Sequence, residues 1–170
     1  MKSTKQTALS QWRKMPRGMR NNNPLNIRRA KTKWVGETDC ISITEIGSGQ
    51  VTQVKDTTFC QFFKLEQGWR AAFILLKKYI IVHKLTTIRK IINRWAPSNE
   101  NNTNQYIMDV SFQACVQPDD EISFSNEDVM LRIGAAMCVV ENGSAYCPLF
   151  NENWKVAMVG GYMLAASYKV

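Results

Sequence analysis

The stretch "NEDVMLRIGAAMCVVENG", residues 126–143, constrains the fold of this chain more than any other. Ser125 or Asn126 supplies a side chain able to cap a first helical turn, and Glu127 and Asp128 put negative charge where a helix start is partially positive. Asn142-Gly143 is a helix stop, because these residues tolerate the left-handed backbone that ends helices. Between these limits Val129, Ile133, Ala136, Met137 and Val140 recur at helical spacing as one buried stripe. A helix of fixed length with one apolar face needs other elements of the chain to bury that face.

The chain supplies them. From Glu66 to Lys84, Trp69, Ala72, Phe73, Leu76 and Ile80 repeat with the same period. "TTIRKIINRW" is a second helix, opened by a threonine cap and stopped at Ala96-Pro97, and a third begins near Thr103 in "NNTNQYIMDV". A short helix precedes Pro16. Strand character is confined to Cys40–Phe63, where Ile41, Ile43, Thr44, Ile46, Val51, Thr52 and Val54 flank "GSGQ" as a β-hairpin near residues 40–63. Without repeats or linkers, the expected organisation is a basic segment at 1–16 followed by one mainly α (α+β) domain at 17–170.

The formal charge of +8 directs the surface toward polyanions: nucleic acid, anionic lipid or acidic envelope polymers. No apolar stretch is long enough for a signal peptide or a membrane span, so the expectation is synthesis in the cytoplasm and export by another agent if the chain acts outside. Cys40, Cys60, Cys115, Cys138 and Cys147 are widely spaced without a C-x-x-C pair, and His83 is the only histidine. This argues against a zinc site or a Cys-His catalytic pair; no metal or cofactor is expected. His83 ends an apolar helical run, which suits a structural role.

Glu141 lies in the last turn of the opening helix, bordering its apolar face. The negative end of the helix dipole and apolar neighbours both favour a carboxyl that keeps its proton, which a general acid for glycosidic cleavage requires. The same position also suits a solvated residue beside a helix stop.

A family resemblance bears on that choice. "RGMRNNNPLNIR" at 17–28, "WVG" at 34–36, "FCQFFKLEQGWRAAFILLKKYI", "TIRKIINRWAPSNENNTNQYI" and the late "ENG" together resemble a family of small phage-virion and bacterial proteins of the lysozyme-like class, over about Arg17 to Tyr146. Leu25 stands where that family leads one to expect glycine. The middle section is also similar to bacterial cell-wall glucosaminidases, with Asn22-Asn23-Pro24-Leu25-Asn26-Ile27-Arg28, Trp34, Gly36, Phe59, Phe62, the helix from Glu66 and Tyr106 in the same order. Those enzymes place a catalytic Glu on a helix before the Asn-Asn phrase, whereas here no acid precedes Glu37. The resemblance therefore implies a circular permutation. Glu141-Asn142-Gly143 resembles the Glu-Ser-Gly that ends the lysozyme-like catalytic helix, and Glu141 supplies the missing carboxylate.

In that setting Asn22, Asn23 and Asn26 match the hydroxyl and acetamido groups of an amino sugar, each able to donate and accept. Asparagine is also favoured in turns, where its amide holds the loop to backbone. Trp34 and Tyr106 would pack on sugar faces or in the core. Glu37, at the start of the hairpin region, is the second candidate catalyst. Glu66 and Glu100 fit a helix start and a loop. Arg17, Arg20, Arg28 and Arg29 would meet anionic glycan or peptide groups, or solvate the surface, with Arg28 taken as a substrate contact.

The resulting expectation is a lysozyme-like, circularly permuted helical domain that cleaves the glycan strand of peptidoglycan as a muramidase, lytic transglycosylase or glucosaminidase. Its partners would be peptidoglycan, an immunity or inhibitor protein, and a phage particle or secretion apparatus that delivers it to a bacterial periplasm or cell wall. Two other classes stay open: a non-catalytic virion or secretion-associated protein that binds glycan, and a nucleic-acid-binding module. No helix-turn-helix or zinc pattern supports the last, so no specific nucleic acid is expected.

Overall fold

The computed structural model describes residues 7–98 and 102–170. In chain order the elements are α1 (Ala8–Lys14), α2 (Arg17–Arg20), β1 (Glu37–Thr38), β2 (Ile41–Thr44), β3 (Val51–Val54), β4 (Gln61–Phe62), α3 (Leu65–Ile81), α4 (Ile88–Trp95), α5 (Thr103–Ala114), α6 (Glu127–Asn142) and α7 (Glu152–Ala166). Short 3-10 turns at Ser144–Tyr146 and Pro148–Phe150 join α6 to α7. The architecture is mainly α with a small antiparallel β part. No helix among the described residues is long and apolar enough to cross a membrane.

Polar caps set the helix starts. Thr87 accepts from the Lys90 N–H at 3.2 Å to open α4, Asn102 caps α5, and Asn126 rather than Ser125 caps α6. Gly143, with φ of 94°, ends α6 where the sequence predicts a stop. The core is built on two helix pairs, α3 along α7 and α5 along α6. Trp69 stacks on Phe73 at 5.6 Å between ring centres, Phe73 meets Tyr162 edge-on at 5.4 Å, and Tyr162 stacks on Phe124 at 5.2 Å. The α3–α7 approach depends on Gly161, since any side chain there would run into Trp69 and the backbone of Arg70 and Glu66. Buried Lys77 closes this pair by donating to the Ala165, Ala166 and Tyr168 carbonyls at 3.2, 2.7 and 2.7 Å, satisfying acceptors that the end of α7 leaves open.

The predicted hairpin is β2 on β3, with Ile41 opposite Val54 and Thr44 opposite Val51. A second ribbon, β1 on β4, pairs Glu37 with Phe62 and Thr38 with Gln61, and Arg28 forms a single bridge to Phe59. Gln61 and Phe62 are fully buried. Chain 17–29 therefore lies beside 56–62, and this sets up the site. The short helix before Pro16 is α1, docked on the hairpin by the Ala8 and Leu9 N–H groups, which donate to the Glu45 carboxylate at 2.7 and 3.0 Å. Residues 1–6 of the expected basic segment, and Glu100, lie outside the described residues.

Several details differ from the sequence pattern. α3 stops at Ile81, and Lys84 adopts φ of 57°, so His83 falls outside the helix and is exposed, its ring edge-on to Tyr79 at 6.2 Å. On α6, Val129 and Val140 are only half-buried, while Met130, Ala135 and Cys138 join Ile133, Ala136 and Met137 in the core. The apolar face is wider than one stripe because α6 is covered on two sides. α7 has no counterpart in the sequence reading. Met158, Gly161, Tyr162 and Ala165 face inward, but Val156, Met163 and Leu164 are apolar and exposed, so no polar face marks the period, and Gly160-Gly161 reads as a break.

Candidate functional site

Two asparagines four residues apart, and a glycine of α3, shape the loop after α2. Asn22 and Asn26 both take left-handed backbone, with φ of 51° and 50°, a conformation asparagine adopts more easily than most residues. The loop presses on α3 at Gly68, where any side chain would strike the Asn22 carbonyl. Buried backbone groups in such a turn need partners, and the amide side chains supply them. Asn23, fully buried, donates to the Ile27 and Cys60 carbonyls at 2.9 Å each and accepts from the Ile27 N–H at 2.9 Å. Asn22 donates to the Phe62 carbonyl at 2.9 Å. Asn21 donates to Asp56 at 2.8 Å and accepts from Gln61 at 3.2 Å.

Asp56 is the hub of this arrangement. Arg17 grips it with Nε and Nη2 at 2.6 and 2.9 Å, and the Thr58 and Phe59 N–H groups donate to it at 3.0 Å each. Burial pushes the Asp56 carboxyl up, but Arg17 and the other donors outweigh it and hold the group well below the usual carboxylate range. Arg29 ties a second knot. It pairs with Glu37 at 2.9 Å and donates to the Asp56 and Thr38 carbonyls at 2.8 and 3.0 Å. The other Glu37 oxygen accepts from the Trp34 N–H at 3.1 Å, and the Glu37 side chain is 2% exposed.

The fourth asparagine of the motif points elsewhere. Asn26 Nδ2 donates to Glu141 Oε2 at 2.8 Å, across the contact between the loop and the last turn of α6. The Tyr106 hydroxyl, on α5, donates to Glu141 Oε1 at 3.0 Å, and Trp95 Nε1, at the end of α4, approaches the same oxygen at 3.4 Å. Asn142 fixes the loop to the helix by donating to the Pro24 carbonyl at 2.8 Å. Glu141 thus lines a cleft of about 230 Å³ with Leu25, Asn26, Arg28, Phe59, Trp95 and Ala96. The Arg28 guanidinium lies 5.5 Å from the centre of the Phe59 ring. Burial and the neighbouring negative charge of Glu141 push the Tyr106 hydroxyl well above its ordinary value, so it remains a neutral donor.

Of the residues singled out in the sequence, Glu141, Asn26, Arg28 and Tyr106 come together around this cleft. Glu37 is not among its lining residues; its oxygens are taken by Arg29 and backbone. Asn22 and Asn23 bond backbone groups of the loop and of the neighbouring 60–62 segment, which would be costly to leave buried and unpaired. Trp34 lines a separate concavity. Trp95, Asn142 and Asp56 were not anticipated. Trp95 and Asn142 both lie within blocks that carry the resemblance, Asn142 as a helix stop in the Glu141-Asn142-Gly143 phrase, but the sequence assigns neither a contact to the site.

Among the described residues no group of three or more His, Cys, Asp or Glu side chains could hold a metal ion. All five cysteines are free thiols. Burial, aided by Glu37, pushes Cys60 up to about 12, and burial does the same for Cys138, so neither presents a nucleophilic thiolate.

No protein-family model matches the chain. It is 33% identical over 131 residues to protein P5 of Pseudoalteromonas phage PM2, a match covering 75% of this chain and 72% of that protein. The chain belongs to the family of protein P5 of phage PM2, and is a phage-related protein.

Proposed function

We propose that this protein cleaves the glycan strand of peptidoglycan, with Glu141 as the proton donor. The observation that carries this reading is the carboxyl of Glu141, set at the edge of a cleft by Asn26, Tyr106 and Trp95 from three separate segments. A carboxyl used only for solvation needs no such fixing. In the reaction Glu141 passes its proton to the glycosidic oxygen as the bond to the anomeric carbon breaks, and Tyr106 and Asn26 stabilise the carboxylate left behind with charge-assisted hydrogen bonds. Arg28 meets anionic or hydroxyl groups of the strand and Trp95 offers a flat face to a sugar ring, while the Phe59 ring supports the Arg17 and Arg28 guanidinium groups at 4.5 and 5.5 Å from its centre. The phage relationship fits a protein carried to the bacterial envelope by a virion.

Among the described residues the cleft lining holds no second carboxylate. The step after bond cleavage then falls to water or to a group of the sugar itself, the chemistry of a one-carboxyl enzyme rather than of paired acids. The same observation favours a second reading, a virion protein that binds glycan without cutting it. Mass spectrometry of purified peptidoglycan after incubation separates them: reducing ends indicate hydrolysis, anhydro-sugar ends indicate attack by the sugar's own hydroxyl, and intact strands leave only binding.

A further inference from the structure

A second concavity, of about 310 Å³, shares no lining residue with the Glu141 cleft. Ile74, buried in the core, and the rings of Trp34 and Tyr168 give it an apolar surface, and Lys33, Arg70 and Lys78 give it positive charge. Arg70, Ile74 and Lys78 recur every four residues along α3, so both cations stand on one face of a long, well-packed helix. The Arg70 guanidinium lies 5.6 Å from the centre of the Tyr168 ring, which limits where it can point. Lys33 is paired with Asp39 at 2.8 Å. Among the described residues Arg70 and Lys78 form no ion pair, although Glu66 stands one turn before Arg70.

Two cations without a carboxylate partner among the described residues, set beside an apolar wall, suit a ligand that carries both carboxylates and small apolar groups. Single-stranded nucleic acid would need a charged groove that tracks successive phosphates beside its stacking aromatics, which one recess of about 310 Å³ does not supply, and a lipid headgroup brings phosphate but no small apolar side chains to set against Ile74. We propose that this concavity binds the carboxylate-bearing peptide attached to the peptidoglycan glycan, with alanine methyls against Trp34 and Tyr168 and carboxylates on Arg70 and Lys78. The assignment rests on the reading of the protein as one that acts on peptidoglycan. Trp34 keeps a role in recognition, but toward the peptide instead of a sugar ring. The site selects peptide-substituted strands over bare ones.

The test is calorimetric titration of the free pentapeptide L-Ala-γ-D-Glu-L-Lys-D-Ala-D-Ala into the full chain, into Arg70→Gln/Lys78→Gln, and into Glu141→Gln. The wild type should bind with an affinity that falls as salt rises. The double variant should bind at least tenfold more weakly with an unchanged melting temperature, and Glu141→Gln should bind as the wild type does. Should the double variant prove poorly folded, Lys78→Gln alone should still weaken binding several-fold. Absence of pentapeptide binding, equal binding by the charge variants, or loss of binding in Glu141→Gln would each overturn the assignment. Binding of phosphatidylglycerol vesicles, lost in the double variant and unaccompanied by pentapeptide binding, would overturn it in favour of a headgroup site. Pentapeptide binding does not depend on cleavage, so a wild-type protein that binds the peptide but leaves glycan intact would count against the proposed reaction and in favour of this site.

Discussion

Glu141 and Glu37 illustrate how two carboxyl groups in one chain acquire different uses. Glu37 meets the fixed charge of Arg29 and a backbone N–H, and is sealed from solvent. Among the described residues Glu141 meets only neutral donors, and it opens on a cleft. The position of Glu141 was legible in the sequence because a cap, an apolar stripe and Asn142-Gly143 define the last turn of one helix. The Glu37 pairing was not, since Arg29 and Glu37 are joined through an irregular loop with no period to read. Removing the hydroxyl in Tyr106→Phe should lower turnover about tenfold or more with little change in substrate affinity, as expected where a donor acts on charge that develops during the reaction; kcat and KM measured together check this. Asp56 gives a pH prediction. Its folded-state carboxyl is held below the unfolded value of about 3.9, so its stabilisation is fully present above that pH and is lost as pH falls through the folded-state value. Asp56→Asn should destabilise the protein at neutral pH by roughly 3 kcal/mol, and the gap between variant and wild-type melting temperatures should narrow progressively as the solution is taken from about pH 4 toward pH 2.

At the scale of elements, helices with both a cap and a polar face could be read directly. Asn126, Asn102 and Thr87 mark three starts, and Gly143 marks one stop. α7 escaped because its selection is for close approach: Gly161 lets it lie on Trp69, and its outer face carries Val156 and Met163 where a surface helix would carry charge. Glycine in mid-helix lowers local propensity by about 1 kcal/mol, and packing repays that only in the folded state. Gly161→Val should therefore lower stability by at least about 2 kcal/mol in chemical denaturation, whereas Val156→Thr on the outer face should leave the midpoint nearly unchanged. Similar stability of the two variants would show that the α3–α7 contact is looser than described.

Across the whole molecule, the site is assembled from distant parts: the loop at 21–28, the end of α4, α5 and the last turn of α6. The first three each contribute one side chain to Glu141, which the last turn of α6 carries, and no contributor is informative alone. Asn26 and Tyr106 read as sugar contacts or as a turn residue and a core aromatic, and Trp95 as part of a helix end; their convergence on one carboxyl gives them a common purpose. The sequence indicated the candidate acid and some of its neighbours, Asn26, Arg28 and Tyr106, but not that they hold one carboxyl, nor that Asn22 and Asn23, which look like equal members of the motif, bond backbone instead. The central claim is that Glu141 donates the proton. The most direct measurement is the rate of product release from purified peptidoglycan by Glu141→Gln, with circular dichroism on the same sample to show that the fold is retained. The account predicts a fall of roughly 10²- to 10⁴-fold in turnover with melting behaviour close to wild type; wild-type turnover by a well-folded Glu141→Gln protein would contradict it.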